Sequence, residues 1–195
     1  MKSIRTLAIA LLAMAFGSSN SINAGIIDFD LRGTAGNGLL FGNEPAVASG
    51  GSGGEIGAGI TFDNVSNLLT INNVGWGSLQ GFTNLTSTAS ASHIHGPTAA
   101  NNGSGFTQTA GVLFTLTRSS SLVTGGTFTD APILLTAAQA IDLNNGKYYI
   151  NIHTSNNGGG EIRGFLVAVP EPSSAALLAV GGLVGLVGRR KRCVL

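Results

Sequence analysis

Three tripeptides constrain this chain more than any other feature: His93-Ile94-His95, Asn151-Ile152-His153 and Glu161-Ile162-Arg163 each set one isoleucine between two polar side chains. Successive side chains of an extended strand point to opposite faces, so each isoleucine faces one way and its neighbours the other. That period of two predicts sheet, with the isoleucines turned into a core. If the three strands are neighbours, their opposite face gathers His93, His95, His153, Glu161 and Arg163, which includes all three histidines of the chain. The last two strands are joined by a short Asn/Gly turn, which favours their adjacency.

The surrounding sequence fits the same class. It is rich in Gly, Asn, Ser and Thr, sparing in proline and charge, and its apolar stretches are short. Candidate strands run over Ile26 to Leu31, Ile56 to Phe62, Leu68 to Val74, Ala89 to His95, Val112 to Arg118, Lys147 to Thr154 and Glu161 to Val167. Leu135 to Leu143 has helical propensity, with Thr136 as candidate N-cap, and predicts one short helix. The glycine-rich stretch from Gly33 to Gly54 reads as the most flexible loop. No repeat of fixed period occurs. The expected fold is all-β, an antiparallel sandwich or barrel with one short helix.

The two ends read as targeting segments. Lys2 and Arg5 precede an apolar run from Leu7 to Phe16, and small residues up to Ala24 follow, so residues 1–24 are expected to be a secretory signal peptide. The apolar run is well short of the ~20 residues that span a bilayer. At the other end, residues 170–195 begin with Pro170, Glu171 and Pro172 and continue through an uncharged stretch, 173–188, to the basic cluster Arg189, Arg190, Lys191 and Arg192. As a helix rising ~1.5 Å per residue, the stretch would be a short transmembrane segment with its basic end in the cytoplasm. This order of parts resembles the PEP-CTERM sorting signal of Gram-negative bacteria. The resemblance implies an exosortase-type processing enzyme as partner, transient residence in the inner membrane, and delivery to the cell surface or extracellular matrix. The other reading of the tail is a permanent anchor.

Between the two ends, residues 25–169 form one domain. Four basic residues, Arg32, Arg118, Lys147 and Arg163, stand against eight acidic ones, a net charge of −4. Without a basic patch for phosphate backbones, nucleic acid is excluded as a partner. The single cysteine, Cys193, lies in the tail, so the domain has neither a disulfide nor a thiolate nucleophile or ligand. No Gly-x-Ser-x-Gly elbow, phosphate loop or calcium-hand spacing is present, so no catalytic residue is assigned. Trp76, between Gly75 and Gly77, is either a sugar-stacking platform or a packing residue.

Two readings of the histidines stand side by side. Two imidazoles at i and i+2 on one strand, with a third from a neighbour, can face one ion at ~2.0 to 2.1 Å. Three neutral imidazoles, His93, His95 and His153, with Glu161 as a further ligand, would suit zinc or copper(II). In the plainer reading the histidines bond to nearby backbone and to Glu161 and tie the strand ends together. Glu161 and Arg163 are then an ordinary same-face ion pair or a hydrogen-bonded edge.

The stretch His93 to Pro97 (HIHGP), then LTAAQAIDLNNGKYYINIHT from Leu135 and GGGEIRGFL ending at Leu166, resembles the CHRD domain, named after chordin. The opening NEPAVASGGSGGEIGAGITFD from Asn43 is similar to the family's Glu-Pro-Pro and Gly-rich start, with Ala46 in place of the second proline. The resemblance implies an extracellular all-β domain and does not imply a settled activity. Sorting signal, low charge and the missing nucleophile motif lead to one expected function, a non-catalytic surface or matrix module that binds exopolysaccharide or surface proteins. The histidines lead to the alternative, a metal-binding domain whose open fourth ligand position would allow enzymatic activity.

Overall fold

The computed structural model describes residues 25–99, 106–120 and 123–170. The expected signal peptide and the tail beyond Pro170, including Glu171, Pro172 and the basic cluster at 189–192, lie outside the described residues. In chain order the elements are β1 (Ile26–Gly33), β2 (Gly36–Asn37), β3 (Leu39–Leu40), β4 (Ser52–Glu55), β5 (Ile60–Asp63), β6 (Leu68–Thr70) and β7 (Val74–Trp76). There follow β8 (Ala89–His95), β9 (Val112–Thr115), β10 (Gly126–Thr127), β11 (Ile133–Leu134), α1 (Ala137–Asn144), β12 (Tyr149–Thr154) and β13 (Ile162–Ala168). The domain is all-β, and its strand pairs are antiparallel.

The last strand, β13, is the hub. Along one edge it pairs with β12, which pairs in turn with β8, and β8 with β9. Its other edge is divided: Arg163 faces Leu40 of β3, and the stretch from Phe165 to Ala168 faces β1. From β3 the sheet continues through β4 and β7 to β10, and from β1 through β5 and β6 to β11. The first branch closes on itself. Arg118 bridges Phe128 just beyond β9 and β10, and Ser119 N–H donates to Thr127 O at 2.8 Å and Thr129 N–H to Thr117 O at 3.0 Å. A ring of strands thus encloses the core, with the β1–β5–β6–β11 leaf beside it.

The three isoleucines of the tripeptides, Ile94, Ile152 and Ile162, are wholly buried, together with Leu31, Phe62, Leu69, Trp76, Ile150 and Leu166. Trp76 packs its ring against Phe128, with centroids 5.1 Å apart, so it is a core residue and offers no face to a sugar. The helix begins where Thr136 predicts, with a capping box: Gln139 N–H donates to Thr136 Oγ1, and the Gln139 side-chain oxygen accepts from Thr136 N–H.

Three expectations need correction. The strand expected from Ile56 starts at Ile60, because Gly57 and Gly59, at φ 57° and 71°, turn the chain first. The stretch expected as one strand from Leu68 to Val74 breaks at Ile71–Asn73 into β6 and β7, where Asn73 O accepts from Ile56 N–H at 2.7 Å. The stretch from Gly33 to Gly54 is not an open loop either. It supplies β2, β3 and most of β4, and it buries Leu39, Asn43 and Glu44. Its glycines are needed for close approach: a Cβ on Gly53 would meet the carbonyl oxygen of Gly75 at 2.5 Å.

Candidate functional site

The registers place the tripeptides side by side. His93 lies opposite Asn151, and Asn151 opposite Arg163, while His95, Tyr149 and Phe165 form the next row of the same face. That face is not the open polar patch that alternation alone suggests. His95, Tyr149, Asn151, Arg163 and Phe165 are all buried, and His93 and His153 are half-buried. A second layer covers them, made by Asn43 and Glu44, the segment 106–110 and the turn 157–160. Tyr149 is therefore buried on this face, and Tyr148, just before β12, is buried as well.

The three histidines converge. Ligand-capable nitrogens of His93, His95 and His153 all lie within 4.8 Å of one another. Around one tetrahedral ion with ~2.05 Å bonds, nitrogens sit ~3.3 Å apart, a difference that small side-chain rotations can close. The hydrogen bonds also fix which nitrogens are available. His95 Nδ1 lies 2.9 Å from the carbonyl oxygen of Ala110, and His153 Nδ1 lies 2.8 Å from that of Gly158. A carbonyl can only accept, so both Nδ1 atoms carry the proton and both Nε2 atoms carry a lone pair. His153 Nε2 meets His93 Nδ1 at 3.0 Å, whereas His95 Nε2 is buried and has no hydrogen-bond partner. Backbone carbonyls that hold the distal nitrogen of an imidazole are the usual outer support of a metal ligand.

Electrostatics favour the neutral form of His93 and His95. Burial pushes His93 and His95 below the ordinary imidazole value, and repulsion from neighbouring histidines lowers both further; the Ala110 carbonyl opposes the shift at His95. A neutral imidazole is the form that can ligate a metal. The Tyr149 ring stacks on His95 with centroids 4.9 Å apart and planes 2° from parallel, and its hydroxyl accepts from Ala110 N–H at 3.2 Å. Ala110 is thus held by both members of the stack.

Glu161 stands apart from the histidines. Its Oε1 accepts from Gly51 N–H at 2.9 Å and Thr86 N–H at 2.7 Å, and its Oε2 accepts from the hydroxyls of Thr86 and Thr154, each at 2.8 Å, and from Asn157 Nδ2 at 3.3 Å. Burial raises its carboxyl, but these hydrogen bonds outweigh burial and hold it below the ordinary range. Across the turn after β12 it is held by Thr154 and Asn157 and not by a histidine.

Arg163 likewise takes another partner than the one expected. It is 1% exposed, its Nε and Nη2 donate to Asn43 O at 2.9 and 2.7 Å, and it also reaches Gln108 O and Phe106 O at 3.3 Å. Its nearest carboxylate is Glu44, at 3.9 Å, not Glu161. Burial raises the Glu44 carboxyl, opposed by Arg163 and by Asn151 Nδ2, which donates to Glu44 Oε1 at 2.6 Å. Asn43, Glu44 and Tyr149 are the residues that sequence reasoning left without a role. The Asn43-Glu44-Pro45 run was their one signal, visible as pattern and not as contact.

The comparisons with known proteins agree with this architecture. The family model of the CHRD domain matches residues 39–166, and that of the PEP-CTERM protein-sorting motif matches residues 168–192. No curated protein and no solved structure matches the chain. The sorting motif implies recognition by an exosortase, with export across the inner membrane to the surface or exterior of a Gram-negative cell. With the CHRD match spanning all three histidines and the hub strand, the chain belongs to the CHRD domain family and carries a PEP-CTERM sorting motif.

Proposed function

We propose that this exported domain is a non-catalytic binding module whose ligand is one divalent transition-metal ion, zinc or copper(II), held by His93, His95 and His153. The observation that carries the reading is His95 Nε2: a buried lone pair with no partner, within 4.8 Å of ligand nitrogens on two other histidines. Leaving a buried polar atom unpaired costs ~1–3 kcal/mol, and a metal ion would remove that cost. Ala110 and Gly158 supply the outer support, and desolvation supplies neutral ligands. Glu161 has no part in the ligand set, since its oxygens are already engaged by five donors.

The test is metal content by mass spectrometry on untagged protein, before and after equilibration with zinc and with copper(II), alongside a His93→Ala/His153→Ala variant. One equivalent in the native chain, lost in the variant, is expected. No bound metal after reconstitution removes the reading and leaves the histidines as a hydrogen-bonded edge.

A further inference from the structure

The path of the chain out of the domain says how the domain sits before its tail is cut. Val169 N–H donates to Asp28 O at 2.8 Å, so the C-terminal segment leaves alongside the start of β1. Only Glu171 and Pro172 separate Pro170 from the uncharged stretch 173–188. Three residues reach at most ~10 Å, so the tail begins within that distance of the β1–β13 edge. The first described residue, Gly25, lies at the same pole. Gly25 is tied to Asn64 by two hydrogen bonds, N–H to Oδ1 at 2.9 Å and O from N–H at 3.1 Å, directly beside the β5–β6 turn.

Three large apolar side chains meet solvent at this pole, beside the exposed Asp28 and Ser66. Ile26 pairs with Asp63, Asp63 with Leu68, and Leu68 with Leu134, so these four side chains share one row of one face. Ile26, Leu134 and, at the turn, Val65 are 54%, 69% and 68% exposed. Asp63, the one charge in the row, is turned into its own loop, accepting from Val65 N–H at 2.9 Å and from the Ser66 hydroxyl at 2.6 Å.

We infer that the pole formed by Ile26, Val65, Leu68 and Leu134 rests on the phospholipid surface of the membrane that holds the tail. The inference rests on the tail being membrane-inserted before cleavage. Exposed apolar side chains beside a membrane tether are buried at the headgroup boundary when the tether is short, because the tether removes most of the entropic cost of approach. The consequence is an oriented precursor, with the Pro170 segment at the bilayer surface where a membrane-embedded processing enzyme would meet it.

The experiment uses the full chain, with Cys193→Ser, reconstituted into phosphatidylethanolamine/phosphatidylglycerol vesicles that carry a nitroxide-labelled lipid. A fluorophore is attached through Val65→Cys or, as reference, Leu79→Cys; Leu79 is 89% exposed and follows β7, which runs away from this pole. Flotation with the vesicles reports insertion of the tail, and Trp76 emission confirms the fold. Quenching at position 65 should exceed that at position 79 by ~2-fold or more. Equal quenching at the two positions in a chain that floats overturns the docking pole while the tail reading stands. A chain that does not float overturns both.

Discussion

The carboxylate of Glu161 offers the clearest test of how this site is built, because two roles predict opposite results. Five donors converge on it, among them the buried backbone N–H of Gly51 and the part-buried backbone N–H of Thr86. In Glu161→Gln the remaining oxygen can keep both backbone donors, and the threonine hydroxyls can rotate to accept from the new amide. Each bond nonetheless loses the charge assistance that separates ~1.5–3 kcal/mol from ~0.5–1.5 kcal/mol, so the substitution should cost ~2–3 kcal/mol. Glu161→Ala strands the donors outright and should cost ~4 kcal/mol or more. Urea unfolding, followed by the fluorescence of Trp76, the single tryptophan, reads this directly. With an m-value of ~1.5 kcal/mol/M, the Gln variant's midpoint should fall by ~1.5–2 M. Its metal content should equal that of the native chain. A Gln variant that keeps its stability but loses the metal would refute the structural role and make Glu161 a ligand.

Other expectations follow from the same geometry. Because folded His93 and His95 have depressed pKa values, they stay neutral where the unfolded chain, at an imidazole pKa of ~6.5, takes up protons. Their contribution to stability is therefore complete above that pH and is lost as pH falls through the folded values, and bound metal should be released over the same acidic range; stability curves and metal retention between pH 7 and 4 check both. Gly160, at φ 129°, has no room for a Cβ, which would fall on Asn151 Nδ2 and Glu44 Oε1, so Gly160→Ala should cost ~3 kcal/mol. Gly158→Ala, where a Cβ meets open space, should be near neutral in the same urea assay.

The period-two reading of the tripeptides located the three isoleucines in the core and the histidines on one face, because alternation is local and survives any tertiary context. Sequence could not show that the histidine face is itself covered. The covering layer comes from Asn43, Glu44 and the segment 106–110, which are remote in the chain and contribute backbone carbonyls that no residue type announces. For the same reason the partner of Arg163 was misread. A charge opposite a carboxylate in sequence suggests an ion pair, whereas two of its guanidinium nitrogens are taken by the carbonyl of Asn43. The glycines between Gly33 and Gly54 suggested freedom of the backbone, and in the fold they serve tight packing.

The central position of β13 also sets a timetable. A chain exported from its N-terminus delivers β1, β3 and β12 before the strand that joins them, since Ile162–Ala168 is the last strand among the described residues. Until then β1 and β12 lack their shared neighbour, and the pairings through β13 that join the two branches of the sheet cannot form. Completion of the fold is thereby tied to the arrival of the sorting motif, whose match begins at residue 168, the last of this strand.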